Sequence, residues 1–351
     1  MAAHIATRVP EHMKAIQVTL FAEKDNLSFV EDAARPQIRA DSNDILVRVL
    51  ACALNPGDCR VMSGSVSLVM KPKRFPYTLG MDVCGLVEEV GTRCMSLAKG
   101  DRVAVVLEPL ATSGGLAEYL VCDAKQATRV PADLDTTHAA SLPVAGTTAL
   151  QAVKDARVRF GSKILVLGAS GGVGSLVVQI ARAHGASFIA ATSTNENLVR
   201  ELGADQVIDY RTTKWWEELE SKVELDAIID CVGCDESWRN CSRSLARGGR
   251  YVAVVDAPDT QLRTFMDLLR FGGKILRRVL SPFTPTYRLV SCFPSGQDVS
   301  AVMDLVAHKR VHAVLDPSSP LPFSLAGAQQ AVGLQRSQRA RGKLVFVISS
   351  S

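Results

Sequence analysis

Residues 162–174 constrain this chain more than any other stretch. An apolar run, Ile164-Leu165-Val166-Leu167, enters the glycine-rich turn Gly168-Ala169-Ser170-Gly171-Gly172-Val173-Gly174. Beyond the turn, Leu176, Val177, Ile180 and Ala183 recur at helical spacing, and Gly185 stands where a C-terminal glycine cap belongs. Strand, glycine turn and helix in that order form a seat for a nucleotide diphosphate. Gly171 lets the backbone approach a pyrophosphate, Gly174 lets the helix pack closely on the strand, and the helix N-terminus offers unpaired N–H groups to the anion. Ser170, Gly172 and Val173 complete the candidate seat. Ala169 stands where a G-x-G-x-x-G fingerprint has its first glycine, so the local form is A-x-G-G-V-G.

The pattern then repeats. Residues 188–192 read as a strand, 195–202 as a helix and 206–209 as another strand, with further strands expected at 225–230, 249–255 and 274–280. Short apolar runs alternating with helices predict an α/β fold whose core is a doubly wound parallel sheet, here of six strands. Trp215 and Trp216 are expected to pack a helix on that sheet.

A chain of 351 residues accommodates two domains, and its formal charge of +4 is spread along the sequence. By composition it makes no case for a nucleic-acid or membrane surface. No apolar run approaches the roughly 20 residues needed to span a bilayer. Residues 1–12 lack a secretory apolar core and read as a flexible leader, with a mitochondrial presequence stub as the alternative; a cytoplasmic protein is expected. Nine irregularly spaced cysteines predict no disulfide framework. Cys231-Val232-Gly233-Cys234 reads as a strand end at which Gly233 permits close backbone approach.

Residues 13–130 alternate short β-rich runs (45–51, 85–90, 102–106, 116–121) with turns, predicting a compact β domain. After a helical stretch at 297–308, residues 343–348 form one more strand. A chain ending so can return to its first domain, giving boundaries at 1–130, 131–284 and 285–351 and a cleft between the two bodies.

Seven motifs in order carry a resemblance: Asn55-Pro56-Gly57-Asp58, Leu79-Gly80-Met81-Asp82, Glu89-Val90-Gly91, Lys99-Gly100-Asp101-Arg102-Val103, Gly114-Gly115-Leu116-Ala117-Glu118-Tyr119, Pro143-Val144-Ala145-Gly146-Thr147-Thr148-Ala149 and the glycine turn. Together they resemble the medium-chain dehydrogenase/reductase superfamily in its zinc-free, zeta-crystallin-like quinone oxidoreductase branch. Residues 202–210 are similar to those of plant alkenal reductases and the reticulon-4-interacting mitochondrial oxidoreductase. The resemblance implies a Rossmann sheet inserted in a GroES-like β-rich catalytic domain. Alcohol dehydrogenases of the superfamily hold catalytic zinc through thiolate and imidazole ligands. The matching places here hold Asn55, Met81, Asp82 and Val144, and three of these four cannot serve, so no metal is expected.

A carboxylate closing the second strand of such a sheet would bind ribose hydroxyls and repel a 2′-phosphate. Here that end carries Ser193, Thr194 and Asn195, which favours NADPH, and Tyr210 matches a phosphate-side tyrosine of similar proteins. The nearest cations are Arg200 and Arg211, and Glu196 stands close by. The resemblance further implies Thr148 at the nicotinamide, Cys231 and Val232 beside the ring, and Phe293 and Lys343 in the cofactor wall. Asn55 and Asp58 become the polar groups nearest the substrate, Asn55 as donor to a carbonyl oxygen. The tyrosine some relatives carry after this motif is absent, leaving Tyr77 or solvent as proton source. The expected activity is reduction of a quinone or an α,β-unsaturated carbonyl by a homodimer paired through the sixth strand. The alternatives are an NADPH-binding sensor, structural or RNA-associated protein without turnover, and an enoyl-thioester reductase.

Overall fold

The computed structural model describes residues 10–22, 26–108, 114–220, 222–255, 260–280, 285–290 and 295–349. Its central feature is a six-stranded sheet in the order Gln206–Ile208, Phe188–Thr192, Lys163–Leu167, Leu225–Asp230, Leu245–Ala253 and Thr286–Leu289. Every pairing in it is parallel. Parallel strands need covering on both faces, and Ile164, Leu165 and Val166 of the central strand are wholly buried. Chain order reverses between Lys163–Leu167 and Leu225–Asp230, so a crevice opens beyond their C-terminal ends, where this architecture takes ligands.

One expected strand is a helix. Residues 274–280 continue the helix Phe265–Val279, which Thr264 opens: its hydroxyl accepts from the Asp267 amide at 3.2 Å while the Asp267 carboxylate accepts from the Thr264 amide at 2.9 Å. Ile275, Leu276, Val279 and Leu280 recur three and four residues apart, a helical rather than an alternating period. The sixth strand is instead Thr286–Leu289, whose Tyr287 stacks on Tyr251 of the adjacent strand with ring centroids 6.1 Å apart. Pairing of two copies through a sixth strand would therefore use that edge. Trp215 and Trp216 are buried against the sheet as expected.

The β-rich part centres on Asp44–Leu54, which pairs with Asp82–Val90, Tyr119–Asp123 and the C-terminal strand Leu344–Val347, all antiparallel. The chain thus returns to its first sheet after leaving the parallel one. Just before that last strand, Gly342 forms a bridge with Gly171, and its amide donates to the Ser170 carbonyl at 3.0 Å. The returning segment is thereby fastened directly to the glycine turn. Helix Gly296–Ala307 lies against helix Pro143–Asp155, where a Cβ at Gly146 would come 2.6 Å from Val302 Cγ1.

Candidate active site

The glycine turn is held as tightly as its sequence implies. Helix Gly172–Ala183 starts at Gly171 with no side chain capping it, which leaves its first-turn N–H groups to an incoming anion. A Cβ at Gly174 would lie 2.2 Å from the Gly168 carbonyl oxygen, so only glycine allows this helix so close to the turn. Gly168 has φ +75° and would place a Cβ 2.8 Å from Val232 Cγ2; it performs the tight-turn role that Ala169 cannot. Thr192, which the sequence reading passed over, fixes the turn from the next strand. Its hydroxyl oxygen accepts from the Gly168 amide and its carbonyl from the Ala169 amide, both at 3.0 Å. Ser170, Gly171, Gly172 and Val173 are half-buried along the crevice.

Residues 193–195, which follow the second strand, carry no carboxylate. The buried Ser193 hydroxyl oxygen accepts from the Asn195 amide at 2.9 Å, and Asn195 caps the helix Glu196–Glu201. Thr194 is half-buried beside them. Both nearby cations are engaged locally: Arg200 with Glu196 at 2.8 Å and Arg211 with Asp209 at 2.6 Å. The Arg211 hydrogen bonds lower Asp209 to about 2. Tyr210 is 62 % exposed, open to solvent next to this pair.

Across the crevice, Asp230 ends its strand almost fully buried. It accepts from the Val232 amide at 2.8 Å, the Gly233 amide at 2.9 Å and the Tyr251 hydroxyl at 2.6 Å. Burial raises its pKa against these stabilising bonds. Asp230 therefore sets the course of the loop bearing Cys231 and Val232, a role its position closing an apolar strand could have signalled. Burial likewise pushes the Cys231 thiol up, keeping it protonated. Thr148 is buried within Pro143–Asp155, and Phe293 lies outside the described residues.

The polar centre lies where the returning C-terminal segment meets the β-rich part. Lys343 donates from Nζ to Asp82 Oδ2 at 2.9 Å and to Asn55 Oδ1; Asn55 Nδ2 donates to Asp82 Oδ2 at 2.9 Å. The second Asp82 oxygen accepts from the Val144 amide at 2.7 Å. Asp82 has no exposed surface and Lys343 is 6 % exposed, so this ion pair is isolated from bulk water. The resemblance implies Lys343 in the cofactor wall; its stem lies against the turn, where a Cβ at Gly172 would come 2.8 Å from Lys343 Cδ. One residue thus touches the glycine turn with its methylenes and the Asn55–Asp82 pair with its ammonium.

Asp58 does something different from Asn55. Its carboxylate accepts from the Asn55 amide at 2.8 Å, closing the first turn of helix Pro56–Ser63. Burial is the main cause raising it to about 7, with the Asp82 charge adding to the shift. It lines a small cavity with Tyr77, Thr78 and Met81. The Tyr77 hydroxyl is buried without a hydrogen-bond partner among the described residues, and burial raises its pKa.

These groups do not fit a zinc ion. Three of the positions where related alcohol dehydrogenases place ligands, Asn55, Asp82 and Val144, are knitted together by hydrogen bonds around a lysine ammonium, and Met81 adds no thiolate. A divalent cation there would face the Lys343 charge with one carboxylate for support. Among the described residues, no group of three His, Cys, Asp or Glu side chains is placed to hold a metal ion.

Residues 41–132 match the alcohol dehydrogenase GroES-like domain family, and residues 172–280 match the family described as zinc-binding dehydrogenase. The chain is 33% identical over 346 residues to the NADPH-dependent alkenal/one oxidoreductase, chloroplastic, of Arabidopsis thaliana, covering 96% of this chain and 80% of that protein. It is 31% identical over 361 residues to the human NAD(P)H oxidoreductase RTN4IP1, mitochondrial, covering 95% of this chain and 89% of the relative. Among solved structures, the quinone oxidoreductase from Coxiella burnetii superposes with a TM-score of 0.79 at 28% identity, covering 96% of this chain and all of that one. The chain belongs to the medium-chain dehydrogenase/reductase superfamily and is a nicotinamide-dependent oxidoreductase, with quinone and alkenal reductases among its relatives.

Proposed function

We propose that the protein is a metal-free, NADPH-dependent reductase of quinones or α,β-unsaturated carbonyls, with its Rossmann unit spanning residues 131–284 between two parts of the catalytic domain. One observation carries this reading: the Lys343 ammonium sits on Asn55 and Asp82 while its stem lies against Gly172 of the glycine turn. A fixed organic cation replaces a Lewis acid here, so the acceptor must already be electrophilic. NADPH, when bound, supplies the hydride.

The chain's own groups orient the acceptor and meet its developing charge. Lys343 has three N–H donors and spends two on Asn55 and Asp82; Asn55 gives one of its amide N–H groups to Asp82. Each keeps an N–H for an oxygen that becomes negative as hydride arrives. Asp82, held by Val144 and Asn55, keeps the ammonium in place. Tyr77, protonated and unpartnered, is the proton donor of choice, with Asp58 beside it at the same cavity. Asp58 itself is a positioning residue that fixes the Asn55 backbone. Ser193, Thr194 and Asn195 favour NADPH over NADH because no carboxylate at that strand end repels a 2′-phosphate.

Its cysteines, free among the described residues, suit a reducing compartment, the cytoplasm or an organelle interior. A homodimer would pair through the Thr286–Leu289 edge.

The test is oxidation of NADPH and of NADH, followed at the nicotinamide absorbance, with 9,10-phenanthrenequinone and with a simple enone such as 3-penten-2-one. Turnover with NADPH at a kcat/KM at least about tenfold above NADH is expected. Tight NADPH binding with no oxidation by either acceptor would remove the reductase reading in favour of a non-catalytic binding protein. Equal rates with NADH would overturn the assignment of Ser193–Asn195 alone.

A further inference from the structure

Helix Phe265–Val279 is built inside out. Asp267, Leu268, Phe271, Lys274, Ile275 and Arg278 lie on its half-buried or buried side. The opposite arc carries Phe265, Met266, Leu269, Leu276 and Val279, followed by Leu280, each at least half exposed, with Phe265 at 68 %. Between them Gly272 and Gly273 face open space, so nothing among the described residues covers the middle of the arc. A surface helix ordinarily turns its apolar stripe to the core. Here that stripe faces solvent, and a contiguous apolar surface of this kind marks a contact site.

Two features say what the contact is. The exposed Arg270 and Arg277 border the arc on one side, while Lys274 and Arg278 on the inner side are paired with Asp235 at 2.7 and 2.6 Å and the helix's own acid, Asp267, also lies on that inner side. The patch also continues onto the β-rich part. The Leu68 amide donates to the Leu262 carbonyl at 3.0 Å and the Leu262 amide to the Ser65 carbonyl at 2.6 Å, which sets exposed Leu68 and Val69 beside the start of the helix. Exposed Lys71, Lys73 and Arg74 follow them directly. Apolar residues bordered by cations on two separate segments complement an anionic, apolar-cored surface. A second copy is the poorer partner, because a two-fold contact on this arc would set Arg270 and Arg277 against their own counterparts with no exposed acid on the helix to answer them.

We propose that this face docks on anionic lipid bilayers, the helix lying in the interface with its apolar arc among the acyl chains and Arg270 and Arg277 at the headgroups. The helix has 15 residues, too short to span, and lies on the membrane rather than through it. The proposal stands apart from the reductase reading.

The test is flotation of the full-length protein with phosphatidylcholine vesicles, with and without phosphatidylserine. The protein should float with phosphatidylserine vesicles and release as salt rises. Arg270→Glu with Arg277→Glu should weaken that binding about tenfold or more. Leu269→Glu with Leu276→Glu should abolish it while leaving NADPH affinity unchanged, which also verifies the fold. No flotation with either vesicle, or equal flotation with both, overturns the proposal. So does a dimer that Leu269→Glu and Leu276→Glu convert to monomer in the absence of any vesicle binding.

Discussion

Three residues decide how the cleft behaves, and each can be changed by itself. Lys343→Met removes the charge and strands Asp82, which has no exposed surface; breaking a buried ion pair of this kind costs roughly 3–5 kcal/mol. Urea unfolding should register that loss, and Lys343→Met with Asp82→Asn should recover part of it, because the stranded charge is gone. Recovery of stability without recovery of kcat is the pattern expected if the ammonium also serves the acceptor oxygen. Asp58 yields a pH prediction. Its folded carboxyl titrates near 7 through burial, against about 3.9 for an unfolded aspartate. Because the folded pKa is the higher, the residue costs no stability below about pH 4, costs more as pH rises to about 7, and stays constant above. Asp58→Asn keeps an acceptor for the Asn55 amide and removes that cost. Its stability advantage over the parent should grow by roughly 1–3 kcal/mol between pH 5 and pH 8; an advantage independent of pH would contradict the assignment. At the turn, Gly174→Ala puts a methyl within 2.2 Å of a backbone oxygen and should cost roughly 1–3 kcal/mol in stability, with weaker cofactor binding by fluorescence titration.

The sequence made these residues visible in unequal measure. Asn55, Asp58 and the glycines stand in recognisable strings, whereas Thr192 acts through hydrogen bonds to the backbone of another strand's turn, which spacing does not reveal, while Asp230 holds the loop that follows its own strand. Lys343 was legible as a cofactor-side residue through resemblance. Its pairing with Asp82, 261 positions earlier, depends on the chain's return to its first sheet.

At the level of elements, the parallel strands announced themselves because a strand buried on both faces is a continuous apolar run. The exception is residues 274–280, whose apolar content suggests a strand while their period is helical. Periodicity was the better guide, and the Thr264–Asp267 capping box upstream carried the decisive signal. The helix makes its own prediction. Gly272 and Gly273 sit in mid-helix with open space where a Cβ would go, so Gly272→Ala should stabilise the protein by roughly 0.5–1 kcal/mol. A thermal melt that moves down instead would argue against helix there. The true sixth strand, Thr286–Leu289, is only four residues long and alternates exposed Thr286 and Arg288 with buried Tyr287, a pattern too brief to stand out.

On the scale of the whole molecule, the architecture joins two sheets through one returning segment. Gly342 bridges to Gly171, and Lys343 reaches past the turn to Asn55 and Asp82, so the last strand both completes the β-rich sheet and closes the cleft against the Rossmann sheet. Among the described residues no helix is long and apolar enough to cross a membrane. The coarse plan, a Rossmann sheet with a GroES-like flank, followed from motif order through the family resemblance. The electrostatic centre did not, because it is made of groups from three distant segments. In the proposed reading this centre works with lysine where zinc-dependent alcohol dehydrogenases of the superfamily use a metal. The most direct measurement is the rate of NADPH oxidation with 9,10-phenanthrenequinone by protein stripped with a chelator and shown by elemental analysis to be metal-free. On that reading the rate is undiminished in the wild-type protein and almost wholly lost in Lys343→Met. A rate that vanishes on stripping and returns with added zinc would contradict it.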